Sequence, residues 1–147
     1  MYDIYGLGNA LVDTEFLVGD GFLRDHNVDK GHMTLVESSV IAKLTSALTD
    51  ISPKRMSGGS AANSMYAAQG FGSKTFYSCK VANDENGRFY LQDLTNAGVN
   101  TKDIEVHPEG ITGKCLVMVT PDAERTMNTY LGISETICSE MIDETAL

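Results

Sequence analysis

Residues 56–72 read MSGGSAANSMYAAQGFG, a glycine pair that runs into a stretch of alanines holding one asparagine. Two adjacent glycines ahead of a helical pattern allow torsion angles and close approaches that a Cβ would block. Ser60 suits an N-cap, and Ala61 to Gln69 is rich in helix formers, so the spacing predicts loop, cap and helix. The first amides of such a helix have no partners inside it and lie at the positive end of its dipole, where phosphate or hydroxyl oxygens can be held. On its own the stretch also fits a plain turn followed by a helix packed tightly on a sheet, because short motifs recur by chance. The rest of the chain has to decide.

The chain has 147 residues, enough for one domain with a sizeable core and short for two. Its composition is 42% hydrophobic and 21% charged, which is that of a soluble globular protein. A net charge of -9 with no lysine or arginine cluster excludes nucleic acid as an expected partner. No apolar run reaches the length needed to cross a bilayer, and MYDIYGLGNALVDTEF at the start carries early acids and no basic leader. Cys79, Cys115 and Cys138 are odd in number and lack metal-ligand spacing, as expected of thiols in a reducing compartment. The expectation is a cytoplasmic protein without membrane contact and without a metal site of its own.

Working outward from the glycine pair, Tyr2 to Gly8 suits a strand running into a tight turn. Leu11 to Val18 gives a second strand pattern, interrupted by Asp13 and Glu15, and Met33 to Val36 a third. Val40, Ile41, Leu44 and Leu48 recur at helical spacing. Thr75 to Val81 is long and apolar enough for a buried strand. Asp84 to Ala97 places Tyr90, Leu94 and Ala97 on one helix face, and Gly98 stands where that helix should stop. Lys114 to Thr120 and Thr126 to Leu131 read as strands joined by the turn Pro121-Asp122-Ala123-Glu124. Ile133 to Leu147 begins as another helix. Strands alternating with helices predict an α/β fold with a mainly parallel sheet. The close-set strands near residues 11–36 and 114–131 depart from that alternation and suggest a small accessory sheet. So few strands for this fold class suggest a part of a longer protein.

Two phosphate motifs are absent. A P-loop needs glycine directly before Lys-Ser/Thr, whereas GFGSKT puts Ser73 there, and the dinucleotide fingerprint needs a third glycine where GLGNAL has Leu11. Four other elements, in order and at matching spacing, carry a resemblance across nearly the whole chain. They are GNALVD (8–13), SGGSAANSMYAAQGFG (57–72), CKVANDENGRFYLQDLTNAGV (79–99) and ITGKCLVMVTPDAERTM (111–127). Together they resemble the amino-terminal half of the PfkB/ribokinase family of carbohydrate and nucleoside kinases, and GNALVD, GGSAANS and TGKC look most similar to its adenosine-kinase-like members. The resemblance implies a ribokinase-like three-layer α/β/α (Rossmann-like) fold with a small β-sheet lid, incomplete here. Residues 1–147 would form the amino-terminal substrate-binding part, with lid segments at about 11–36 and 104–131. It implies transfer of the ATP γ-phosphate, with Mg2+ as cofactor, to a primary hydroxyl of a sugar or nucleoside.

The resemblance also carries roles. Asp13 matches the aspartate that binds sugar hydroxyls, and an ionised carboxylate, which only accepts, suits the two donors of a vicinal diol. Gly58 and Gly59 match the glycines whose bare backbone admits the sugar. Asn63, in the first helical turn, can donate to and accept from a hydroxyl, and Asn9 borders the same pocket. Arg125 matches an arginine that approaches the transferred phosphate, where a permanent positive charge offsets spreading negative charge. Met33, Cys115 and Met127 either line the nucleoside side of the pocket or simply fill a core. One departure stands out: adenosine kinases carry a glutamine near Met33, which leaves the base specificity open.

The family's carboxy-terminal Gly-Ala-Gly-Asp element, with the general-base aspartate and the anion hole, has no counterpart in residues 1–147; Gly19-Asp20-Gly21 lies too early. Phosphoryl transfer needs metal, anion hole and base together. The expectation is therefore the sugar-binding half of a kinase roughly twice as long, inactive alone. Two alternatives remain: a ribose- or fructose-type kinase of the same family, and a non-catalytic sugar- or nucleoside-binding module. Exposed lid edges allow a homodimer.

Overall fold

The computed structural model describes residues 1–48, 52–102 and 109–147. The elements are β1 (Ile4–Leu7), β2 (Leu11–Leu17), α1 (Asp20–Asp25), β3 (Met33–Leu35), α2 (Ser38–Ala47), β4 (Lys54–Gly58), α3 (Ser60–Gly70), β5 (Thr75–Ser78), α4 (Glu85–Asn96), β6 (Gly113–Val119) and β7 (Arg125–Tyr130). The chain divides into two compact units, one of Met1–Val12, Met56–Gly113 and Leu131–Leu147, the other of Asp13–Arg55 and Lys114–Tyr130. Residues 104–108 of the expected second lid segment lie outside the described residues. Among those described, no helix is long and apolar enough to cross a membrane.

In the first unit β1 and β5 pair in parallel, from Ile4 opposite Thr75 to Leu7 opposite Ser78. All four residues of β5 are buried, as expected of a strand covered on both faces. Helix α3 packs on these strands through Ala62 and Met65, and α4 adds Tyr90 and Leu94 to a core shared with Ala10, Val12, Tyr77, Cys79, Val81 and Val99. A Cβ on Gly6 would stand 2.8 Å from the Met65 sulfur, so the glycine lets helix and strand meet. Asp84 caps α4 by accepting from the Gly87 amide at 2.7 Å, and its carboxylate also accepts from the Thr112 amide and hydroxyl. Ser134, fully buried, donates to the Ala10 carbonyl at 2.6 Å and so pins the chain just before β2.

The second unit is built on the sheet of order β3-β7-β6-β2-β4, in which β6 and β7 run antiparallel and β3 runs parallel to β7. One face is apolar: Phe16, Val18, Leu116 and Met118 pack on Leu23 of α1 and on Ile41 and Leu44 of α2. Asn128 breaks that pattern. It stands opposite Leu116, is 5% exposed, and its side-chain nitrogen is buried without a hydrogen-bond partner among the described residues, beside a cavity of about 360 Å³ lined by Val36 and Leu44 and also by Asp29, Thr34 and Lys43. An unsatisfied buried amide costs about 1–3 kcal/mol. Asn128→Leu should therefore raise the urea midpoint, by an amount equivalent to about 1 kcal/mol. A lower midpoint would show that the amide is satisfied in solution.

Several expectations need correction. Asp13 and Glu15 do not interrupt β2, which runs unbroken for seven residues, because both acids sit on one face of it. Gly59, not Ser60, is the N-cap of α3, and no side chain caps it. Ile133 to Leu147 forms two short 3-10 turns, at Gly132–Thr136 and Ser139–Met141, in place of a helix. Helix α1 and strand β4 carried no recognisable sequence signal.

Candidate functional site

The residues singled out in the sequence fall into two groups, one in each unit. In the first unit, β4 delivers Ser57 and Gly58 into the interior and the chain turns at Gly59 with φ 100 and ψ 131 before α3 begins. That torsion pair is open in practice only to glycine. A Cβ on Gly59 would stand 2.6 Å from the Asn9 carbonyl oxygen, so the glycine lets the start of α3 and the Asn9 turn touch. Asn63 is exposed in the first turn of the helix, its backbone amide donating to the Gly59 carbonyl at 2.9 Å. The amides before it have no partner within the helix. Asn9, Gly58, Gly59 and Asn63 are thus gathered around one helix start.

The second group lies on one face of the five-stranded sheet. Alternation along β7 puts Arg125, Met127 and Thr129 on the face opposite Asn128, and the register places Met33 beside Met127 and Cys115 opposite Thr129. Arg125 reaches Glu15 at 3.6 Å with its guanidinium half exposed, a loose, solvent-screened pair. Asp13 is half-buried; burial raises its carboxyl above the usual range, and the Arg125 charge pulls it part of the way back. The Cys115 thiol, buried and accepting from the Thr129 hydroxyl at 3.2 Å, is pushed up to about 11, chiefly by burial. It is an apolar lining group at neutral pH and not a nucleophile. Met33 is 58% exposed on the edge strand, so core packing does not account for it. Asp13, Met33, Cys115, Arg125 and Met127 therefore share one sheet face, with one cation and two acids side by side.

Sequence reasoning missed Glu15 as the partner of Arg125. Two-residue spacing from Asp13 along a strand was the available signal, since it puts both acids on the same face. It also missed Ser134, whose contact to Ala10 no local pattern announces. Among the described residues no group of three His, Cys, Asp or Glu side chains is placed to hold a metal ion.

An α/β unit with the glycine pair at the start of a helix, together with a mixed-sheet unit, defines a ribokinase-like α/β fold. Residues 35–144 match the pfkB family carbohydrate kinase, and the chain belongs to that family. It is similar to the crystal structure of adenosine kinase from Sinorhizobium meliloti, with 31% identity and a TM-score of 0.86 over 99% of this chain and 44% of that one. A probable sugar kinase from Rhizobium etli CFN 42 gives 30% identity and a TM-score of 0.85 over 97% of this chain and 42% of the other. Adenosine kinase 2 of Arabidopsis thaliana is 28% identical over 119 residues, covering 78% of this chain and 34% of that protein. The chain thus spans less than half the length of these relatives.

Proposed function

We propose that this chain is the acceptor-binding part of an ATP- and Mg2+-dependent kinase that phosphorylates a primary hydroxyl of a sugar or nucleoside. The observation that carries the reading is Gly59: a left-handed glycine whose missing Cβ brings the start of α3 against the Asn9 turn, within the residues 35–144 that match the family. The free amides of α3 and the Asn63 side chain take acceptor hydroxyl oxygens. Asp13 takes the donors of a vicinal diol, and Arg125 offsets charge on the transferred phosphoryl group. Met33, Cys115 and Met127 offer the apolar, polarisable surface suited to a purine ring. The segments at about 11–36 and 104–131 act as the lid, and the exposed edge strand β3 is the place for a second copy to pair. ATP, Mg2+ and the general base are assigned to the part of the longer relatives that this chain does not cover. The cytoplasm, where ATP is supplied, is the expected compartment.

Similarity to both an adenosine kinase and a probable sugar kinase supports a nucleoside or a free sugar as acceptor. Titration calorimetry of the chain with adenosine, ribose and fructose separates them, run beside a coupled ATP-consumption assay. Adenosine bound at least tenfold more tightly than ribose supports the nucleoside reading, and the reverse order supports the sugar kinase. Binding without turnover agrees with an acceptor-binding part. A folded chain that binds none of the three overturns the proposal.

A further inference from the structure

Beneath the Asn9 turn and the glycine pair, two tyrosines lie in the core of the first unit, both fully buried. The Tyr90 hydroxyl, presented by α4, donates to the Gly58 carbonyl at 2.9 Å. The Tyr77 hydroxyl, presented by β5, donates to the Asn9 carbonyl at 3.4 Å. Burial and the neighbouring phenol push Tyr90 above the ordinary tyrosine range, and burial is the main cause of the rise at Tyr77. Each therefore keeps its proton and stays a donor. The packing is close at Tyr77, where a Cβ on Gly8 would stand 2.9 Å from the hydroxyl, and ordinary at Tyr90, where one on Gly59 would stand 3.9 Å away. A buried phenol costs free energy unless its O–H finds a partner. Here the partners are the carbonyls of the two segments that meet at Gly59 and, for each hydroxyl, the other phenol, although phenylalanine would fill an apolar core at lower cost.

We infer that Tyr90 and Tyr77 are positioning residues that clamp the Gly58-Gly59 turn and the Asn9 turn from below, fixing the start of α3 for the acceptor. The inference rests on the acceptor-binding reading above. Neither hydroxyl touches the acceptor; each acts through the carbonyl it holds, and the amides next in the chain keep their direction as a result. A site held to within a fraction of an ångström binds its ligand without first having to order the loop.

The test uses Tyr90→Phe, which keeps the ring and removes only the hydroxyl, and reads acceptor affinity together with amide hydrogen exchange. Acceptor binding by titration calorimetry, with whichever of adenosine and ribose binds the unmodified chain more tightly, should weaken about tenfold. Exchange at residues 59–62 should speed up while the strand amides of β5 stay protected. Tyr77→Phe should act in the same direction and less strongly, because its hydrogen bond is longer, and it serves as the second variant should Tyr90→Phe fail to fold. A folded variant with unchanged affinity and unchanged exchange at 59–62 overturns the clamp alone. An unmodified chain that binds no acceptor overturns the functional reading and the clamp with it.

Discussion

Gly59→Ala should abolish measurable acceptor binding and lower stability by about 3 kcal/mol, from backbone strain and overpacking together. Two separate costs meet at this position. The φ of 100 with ψ of 131 is a conformation that L side chains rarely adopt, and the added methyl would sit 2.6 Å from the Asn9 carbonyl oxygen. Relaxing the torsion means moving the start of α3, and relieving the clash means moving the Asn9 turn. Either movement separates the groups proposed to hold the acceptor. Urea unfolding gives the first effect and titration with adenosine and ribose the second. The same substitution at Gly70, the other end of α3, meets nothing within 4 Å and should leave binding unchanged and stability unchanged or slightly raised. If Gly59→Ala binds acceptor as well as the unmodified chain does, the glycine pair serves the fold and not the site.

The difference between these two glycines was only partly legible in the sequence. The pair at 58–59, followed by helix formers, announced a turn and a helix, because those signals are local. Which glycine carries the left-handed torsion, and that Asn9 presses against it, depends on a contact fifty residues apart in the chain. The long apolar runs that became β5 and β6 and the amphipathic α4 were readable for the same local reason. Helix α1 was not, since its six residues bury only Leu23 and show no periodicity, and β4 reads KRMSG, too polar and glycine-ended to resemble a strand. The turns after Gly132 mimic a helix start but bury only Ser134 in the first of them, and without an apolar face a helix there has little to hold it. For the site, residue types identified from motif resemblance landed in two coherent groups. The hydrogen bonds from Tyr77, Tyr90 and Ser134 join distant segments and left no trace in composition or spacing, whereas the looser Glu15–Arg125 ion pair was hinted at only by the two-residue spacing of Glu15 from Asp13.

Asp13→Asn should stabilise the fold at neutral pH while weakening acceptor binding roughly tenfold to a hundredfold, the loss expected when hydrogen bonds to a charged group are given up. The stability effect follows from the sign of the carboxyl's shift. Burial raises the folded-state value above the unfolded one, so the folded chain holds the Asp13 proton more tightly than the unfolded chain does. Asp13 therefore favours folding most at pH below its unfolded value, and that advantage is lost as pH rises through its folded value. Above that point the buried charge is a cost, only partly offset by Arg125. Asparagine has nothing to ionise, so the variant should be the more stable at pH 7, and its advantage should shrink steadily toward acid. Removing the offsetting cation sharpens the contrast: in an Arg125→Ala background the gain from Asp13→Asn should be larger, and a double-mutant cycle measures the coupling. The binding effect has a different origin. A diol offers two donors, and the amide presents one acceptor oxygen and a nitrogen that must itself donate, so one hydroxyl proton goes unmatched. A carboxylate retained at a cost to the fold yet dispensable for binding would contradict the role assigned to it, and unchanged affinity in Asp13→Asn would show that. Stability gained and affinity lost in the same variant is the result expected of a group kept for its ligand.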